Sequence, residues 1–387
     1  MNNKDLKESF SYILTRHKHW SKFQRRNPLI DHIIFIIILI LIVPLPLIFS
    51  AYLKSKVKKI AVRKQIALVR TKNGLKIAKI LEPHNSFDIV CMSVKGDRYF
   101  SKVDLLLSVF SSYAIYSNYA MLLKNSFLRM NLIKVVKVLG FSNLEKMFID
   151  NHSLNSVIQF NDHSPESFYL HQICQEQNIK TVYVQHAPVG DKFPALYHDI
   201  NVLFSNDSLD KYQKSNDKIK VIIAFDFRFL KALNYRGNNK VANSVLLCPN
   251  LLDSITSIEQ TAEALNKQGY AVRIRMHPAD KRQLASHLTK SVIKDVWEDL
   301  AISEVVITNE SAIPIEAAFL GCLVYKASFW SENIDAYNFI SRGLIISEEN
   351  SLENCLVSVN DRKQAIDLTK LQYYTGEIIT ERLKLNL

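Results

Sequence analysis

Four apolar runs in this chain each end in residues able to do chemistry. Asn161, Asp162 and His163 follow "SVIQF", Gln185 and His186 follow "TVYV", His277 follows "VRIRM", and Asn309, Glu310 and Ser311 follow "VVIT". A histidine or an aspartate held at a strand end is the residue type that takes a proton from a hydroxyl nucleophile, which makes Asp162 and His186 the candidate general bases. "SAIPIEAAFLG" opens with a hydroxyl, Ser311, where the free N–H groups and dipole of a helix start attract an anion such as a diphosphate. Glu316, further into that helix, would reach the ribose hydroxyls of a nucleotide whose phosphate sits at Ser311. His277 would donate to the same phosphate and help the leaving group depart, with Arg275, two residues earlier, as its helper and Asn309 beside them.

Each residue also has a purely structural explanation. Asp162 or Ser164 would cap a helix beginning near Pro165, Ser311 would cap "AIPIEAAFLG", and His277 would end a strand because Pro278 forces its predecessor extended. The case for a site rests on all four runs ending in the same way. Neither a P-loop nor a G-x-G-x-x-G fingerprint is present, and the chain has only 9 Gly, so a helix start must stand in for a glycine cradle. With no D-x-D pair, no divalent metal and no cofactor are expected.

Strands and helices alternate along the chain, as needed to bring such residues together. "QIALVR", "FDIVCMS", "SVIQFND", "KTVYVQH", "INVLFSN" and "IKVIIAF" read as strands separated by segments of helical period, with a long helical region from Lys102 to about Met147. After the polar stretch "NYRGNNKVANS" the pattern restarts with "SVLLCPN", "AVRIRMHP", "EVVITN" and "CLVYKAS". The expectation is α/β, two doubly wound Rossmann-like domains at 65–238 and 239–387. Ligands would lie along the facing carboxyl ends of their parallel strands.

The rest of the sequence constrains where the protein works. Its 387 residues carry a net charge of +12, but thirteen Lys and Arg up to Lys64 face only Asp5, Glu8 and Asp31, so the body is nearly neutral. The charge flanks an uncharged run, "IIFIIILILIVPLPLIFSAYL", long enough to span a bilayer. This predicts a basic segment at 1–32, a membrane anchor at 33–53 and a basic juxtamembrane linker at 54–64. Pro44 and Pro46 leave open a re-entrant segment instead of a single span. Either way the denser basic cluster after the run places the domains on the cytoplasmic side of the inner membrane, with anionic lipid rather than nucleic acid as partner. The five cysteines show no C-x-x-C spacing and read as reduced core residues.

The pair "RMHP" and "SAIPIEAAFLG" resembles the H-P and S-x-x-x-x-E-A elements of bacterial surface-polysaccharide glycosyltransferases of the GT-B architecture. That group includes sialyltransferase-like enzymes, capsule polymerases and polyol-phosphate transferases. "FNDHSPESFYLHQICQEQNIKTVYVQHAPVGDKFPAL" is similar to their strand, helix, strand unit ending in Q-H-G. The resemblance covers about 156–326. It implies a metal-independent transferase moving a sugar from a CMP- or UDP-linked donor, with a CMP-linked nonulosonic acid slightly favoured, to a lipid-linked or growing glycan. It also implies His277 and Ser311 on the donor phosphate, Glu316 on the ribose, and Asp162 or His186 as base. A CDP-polyol transferase and a non-catalytic scaffold of a polysaccharide assembly are the alternatives. Ala187 departs from the Gly of Q-H-G, and Glu310 puts an acid beside the expected phosphate site.

Overall fold

The computed structural model describes residues 46–92, 94–110, 132–161, 164–190, 193, 195–212, 218–331, 337, 339–341, 343–361, 368–377 and 383. In chain order the elements are α1 (Pro46–Lys59), β1 (Gln65–Val69), α2 (Lys72–Leu81), β2 (Asp88–Met92), β3 (Tyr99–Phe100), α3 (Lys102–Phe110), α4 (Leu132–Asp150), β4 (Ser156–Gln159), α5 (Pro165–Glu176), β5 (Lys180–Val184), β6 (Ile200–Leu203), α6 (Asn206–Lys211) and β7 (Lys220–Ile223). They continue with α7 (Phe229–Ala232), β8 (Ser244–Cys248), α8 (Ile255–Lys267), β9 (Ala271–Ile274), α9 (Val296–Ala301), β10 (Val305–Thr308), α10 (Ile313–Phe319), β11 (Leu323–Ala327), β12 (Ser347–Glu349), α11 (Leu352–Asp361) and α12 (Leu368–Thr375).

Two parallel sheets result. The first runs β3-β2-β1-β4-β5-β6-β7 and the second β12-β11-β10-β8-β9. Both faces of each sheet are covered, and the side chains alternate accordingly. Along β1, Ile66 and Leu68 join the apolar layer under α1, α4 and α5, while Ala67 and Val69 join the opposite layer with Ile77 and Leu81 of α2. Serine and threonine caps set the helix starts. Thr71 accepts from the Gly74 N–H at 3.0 Å, and Ser164, not Asp162, caps α5 by accepting from the Ser167 N–H at 3.3 Å.

Topology singles out one place in each sheet. The chain fills one side of β1 with β2 and β3 and then crosses to β4, so the first sheet reverses between β1 and β4; the second reverses between β8 and β10 in the same way. At such a reversal the helices leave to opposite faces, and a crevice opens beyond the carboxyl ends of the two strands.

Three features differ from the sequence-based domain map. Residues 33–45 of the apolar run lie outside the described residues, but its end folds into α1. Leu53 and Val57, one turn apart on α1, are fully buried in the first domain's core, so the expected juxtamembrane linker is a packed helix. Among the described residues no helix is long and apolar enough to cross a membrane. The end of the chain also returns to the first domain: Thr375 O accepts from the Asp226 N–H at 2.8 Å, and Leu383 packs among that domain's buried residues. Gly376 makes the return possible with a φ of +71°, since a β-carbon there would lie 2.4 Å from Phe204 O. The two- and three-residue edge strands β3 and β12 are too short to show a period in the sequence.

Candidate functional site

The second sheet's crevice is built by loops locked to one another through Asp253, in the loop between β8 and α8. Its carboxylate is fully buried. Oδ1 accepts from Asn309 Nδ2 at 2.9 Å and Ser331 Oγ at 2.8 Å, and Oδ2 accepts from the Asn250 N–H at 2.7 Å. Asn250 Nδ2 donates to Glu310 O at 3.2 Å. The loops after β8, β10 and β11 are thereby one unit around the reversal. Asn309 is a buried tie within it rather than an exposed ligand. Ser311, half-buried beyond β10, accepts from the Ile313 N–H at 3.0 Å at the start of α10, which is seven residues long and has Pro314 in its first turn.

His277 stands exposed just past β9. Its Nδ1 accepts from the Ala279 N–H at 3.2 Å, which places the ring proton on Nε2 as a donor. The loop carrying it is fastened by Arg282, whose guanidinium chelates Asp280 and donates to Asp253 O at 2.5 Å and Asn250 O at 3.0 Å. β9 and β10 flank β8, so the His277 and Ser311 loops are two strand spacings, about 10 Å, apart.

Two residues expected on the donor have other partners. Arg275 donates to Ile293 O at 2.7 Å and Lys294 O at 3.0 Å and pairs with the buried Asp299 at 3.0 Å, because a guanidinium leaving a strand edge is best satisfied by nearby carbonyls and a carboxylate. In this structure Arg275 ties the end of β9 to the 293–299 segment. Glu316 is buried, and its Oε1 accepts from Arg228 Nη1 at 3.0 Å. Arg228 also chelates Asp226 at 2.5–3.0 Å. Burial pushes the Glu316 carboxyl above the ordinary glutamate range against the pull of Arg228. For Arg228, burial works downward, but Asp226 and then Glu316 hold it above the usual arginine value. The triad joins the segment leaving β7 to helix α10 and so ties the two domains together beside the crevice. Glu310, by contrast, lies 3.7 Å from the buried Lys326, which it shares with Glu348 at 3.6 Å, so its charge is offset only in part beside the Ser311 loop.

On the first domain, Asp162 and His163 lie outside the described residues, but Asn161 lies two residues past β4 at the reversal. Across it, at the end of β1, Arg70 is buried and donates to Glu145 at 2.7 Å, Ser167 Oγ at 2.9 Å and Gln159 Oε1 at 3.2 Å. Burial works against the charge on both partners; Glu145 holds Arg70 above its ordinary value, and burial leaves Glu145 raised despite Arg70. Gln185 is fully buried and fixes the end of β5, accepting from the Phe204 N–H at 2.8 Å and donating to Ala187 O and Ser208 Oγ. That leaves His186 half-buried at the loop start. Sequence reasoning missed Arg70, Arg228, Asp253 and Arg282. A charged residue within a few positions of a strand's end was the available signal. Two other concavities lie elsewhere, one between Arg236, Phe319 and Leu371, the other beside Lys56, Arg98 and Tyr99.

No family model matches the chain, and no curated protein matches it. Solved structures do. The UDP-GlcNAc 2-epimerase of Methanocaldococcus jannaschii superposes with a TM-score of 0.52 at 10% identity, over 78% of this chain and 94% of that one. The MurG of Acinetobacter baumannii gives 0.48 at 11% identity over 82% and 96%, and the wall teichoic acid polymerase TagF 0.45 at 10% over 83% and 82%. The fold is thus α/β with two parallel sheets in the two-domain GT-B arrangement.

Proposed function

We propose that the chain is a glycosyltransferase that binds a nucleotide-sugar at the second sheet's crevice and transfers the sugar to a lipid-linked or growing surface glycan at the cytoplasmic membrane. One observation carries the reading. The segments singled out for chemistry in the sequence bracket both sheet reversals, Asn161 just past β4 at one and the Ser311 loop at the other, with His277 one strand beyond. In this reading His277 Nε2 and the N–H groups around Ser311 hold the donor phosphate and stabilise the charge that develops as the sugar leaves. Asp162 or His186 takes the acceptor proton. Glu316 takes the ribose hydroxyls on the carboxylate whose Oε1 accepts from Arg228, so donor binding and the domain tie share one carboxylate. The donor is a CMP- or UDP-linked sugar, a CMP-linked nonulosonic acid being favoured, and no metal is required.

The test is thermal stabilisation of the full chain in detergent by CMP, CDP, UDP and GDP. The full chain is needed because α1 belongs to the core. One nucleotide should stabilise the protein, and His277→Ala and Ser311→Ala should each weaken its binding by about tenfold or more, the worth of a hydrogen bond to a charged phosphate. Folded protein that no nucleotide stabilises would sink the reading in favour of a scaffold. Turnover of UDP-GlcNAc without an acceptor would replace it with an epimerase, and product carrying donor phosphorus with a polyol-phosphate transferase.

A further inference from the structure

Eleven large apolar side chains are exposed among the described residues, and five of them share one face: Ile48 and Tyr52 of α1, Tyr99 of β3, and Val103 and Leu106 of α3, each between 41% and 64% exposed. The face is one surface because α1 and α3 are joined at Asp104, which accepts from Lys56 Nζ at 2.6 Å and Tyr52 OH at 3.4 Å. On α1, Leu53 and Val57 turn inward, so Ile48, Tyr52 and Lys59, spaced at four and seven residues, form the outward ridge. Lys54, Lys58, Lys59 and Lys102 are exposed around it. Residues 54–64 and 95–104 together hold nine Lys and Arg against Asp97 and Asp104. A groove of about 440 Å³ lined by Lys56, Lys59, Asp97, Arg98 and Tyr99 opens at its edge.

We propose that this face of α1, β3 and α3 docks flat on an anionic lipid bilayer, its apolar residues entering the headgroup boundary and its lysines meeting lipid phosphates. Charge favours this occupant: Lys56 is paired with Asp104 and Arg98 with Asp88, but Lys54, Lys58, Lys59 and Lys102 remain exposed around the apolar residues, and each Lys near an anionic surface strengthens binding about fivefold. Chain direction agrees: the uncharged stretch 33–45 leads directly into α1, so a bilayer that took up that stretch would adjoin the same face. The surface is separate from the sheet reversals, and the proposal stands whatever reaction the crevice performs.

All five native cysteines are buried, so a single introduced cysteine will carry a fluorophore alone. The full chain with Val103→Cys, and separately Leu106→Cys, is reconstituted into equimolar phosphatidylcholine and phosphatidylglycerol vesicles bearing nitroxide acyl chains. Val292→Cys, at a position 90% exposed, is the reference. Labels at 103 and 106 should be quenched several-fold more than the label at 292, and replacing phosphatidylglycerol by phosphatidylcholine or introducing Lys59→Glu should reduce the difference. Quenching at 103 and 106 no greater than at 292 in vesicle-bound protein, or quenching indifferent to lipid charge, would overturn the proposal.

Discussion

Replacing Arg228 with methionine tests whether the Asp226–Arg228–Glu316 triad holds the domains together. The substitution keeps the side-chain stem but strands two carboxylates whose side chains are only 2% and 11% exposed. Removing one partner of a buried ion pair costs about 3–5 kcal/mol. Arg228 is itself 21% exposed, so the lower end, about 3 kcal/mol, is expected. Glu316→Gln is the matched control: it keeps an acceptor for Arg228 and leaves the Asp226 chelate intact, so it should cost no more than about 1 kcal/mol. The pH dependence separates the two further. Glu316 is held above its ordinary value by burial and pulled down by Arg228, so without Arg228 it rises further. A carboxyl raised in the folded state binds more protons there than in the unfolded chain. Its contribution is therefore present below the ordinary glutamate pKa and lost as pH rises through the folded one. Urea midpoints followed by circular dichroism should fall more steeply for Arg228→Met than for the parent as pH rises above the ordinary glutamate range. Equal destabilisation by Arg228→Met and Glu316→Gln, or parallel pH curves, would refute the account.

Other outcomes follow from the same structure. Arg70→Met should destabilise the first domain by about 3–5 kcal/mol by leaving Glu145 buried and alone, and adding Glu145→Leu should restore most of it in the same urea titration. Asp253→Ala removes one acceptor from three loops and should cost at least about 2 kcal/mol while weakening nucleotide binding in calorimetry. In the folded protein no cysteine should react with Ellman's reagent near neutral pH, whereas five should in urea. Burial removes access and raises every thiol, Cys91 to about 11 and Cys355 to about 12. Transferase activity, once a donor is found, should survive EDTA; its complete loss would refute the metal-independent reading.

Much of the architecture was legible before any coordinates. Each main strand is an apolar run bounded by turn residues, and alternation with helical segments leaves little but parallel sheets. The candidate site was legible by position: His277, Ser311 and Asn161 all lie just beyond strands, where a parallel sheet leaves its polar ends. Their partners were not. Nothing near Glu316 in sequence predicts Arg228, 88 residues earlier, and Arg275 looked like a ligand because its carbonyl and carboxylate partners lie 18 to 24 residues away. Lysines filling 54–64 suggest a linker, whereas burial of Val57, one turn after Leu53, packs α1 against the core.

The sequence alone determined the alternation of strands and helices, the polar residues at strand ends and the concentration of charge at one end, because periodicity and composition are local properties of the chain. Only the tertiary structure decided which of those polar residues remain available. Whether a charged group serves a ligand or the fold depends on the neighbours that burial forces it to find, and those come from distant parts of the chain. Thus Arg275 and Asn309 became ties, Glu316 became part of a bridge between domains, and His277 was left facing solvent beside the crevice.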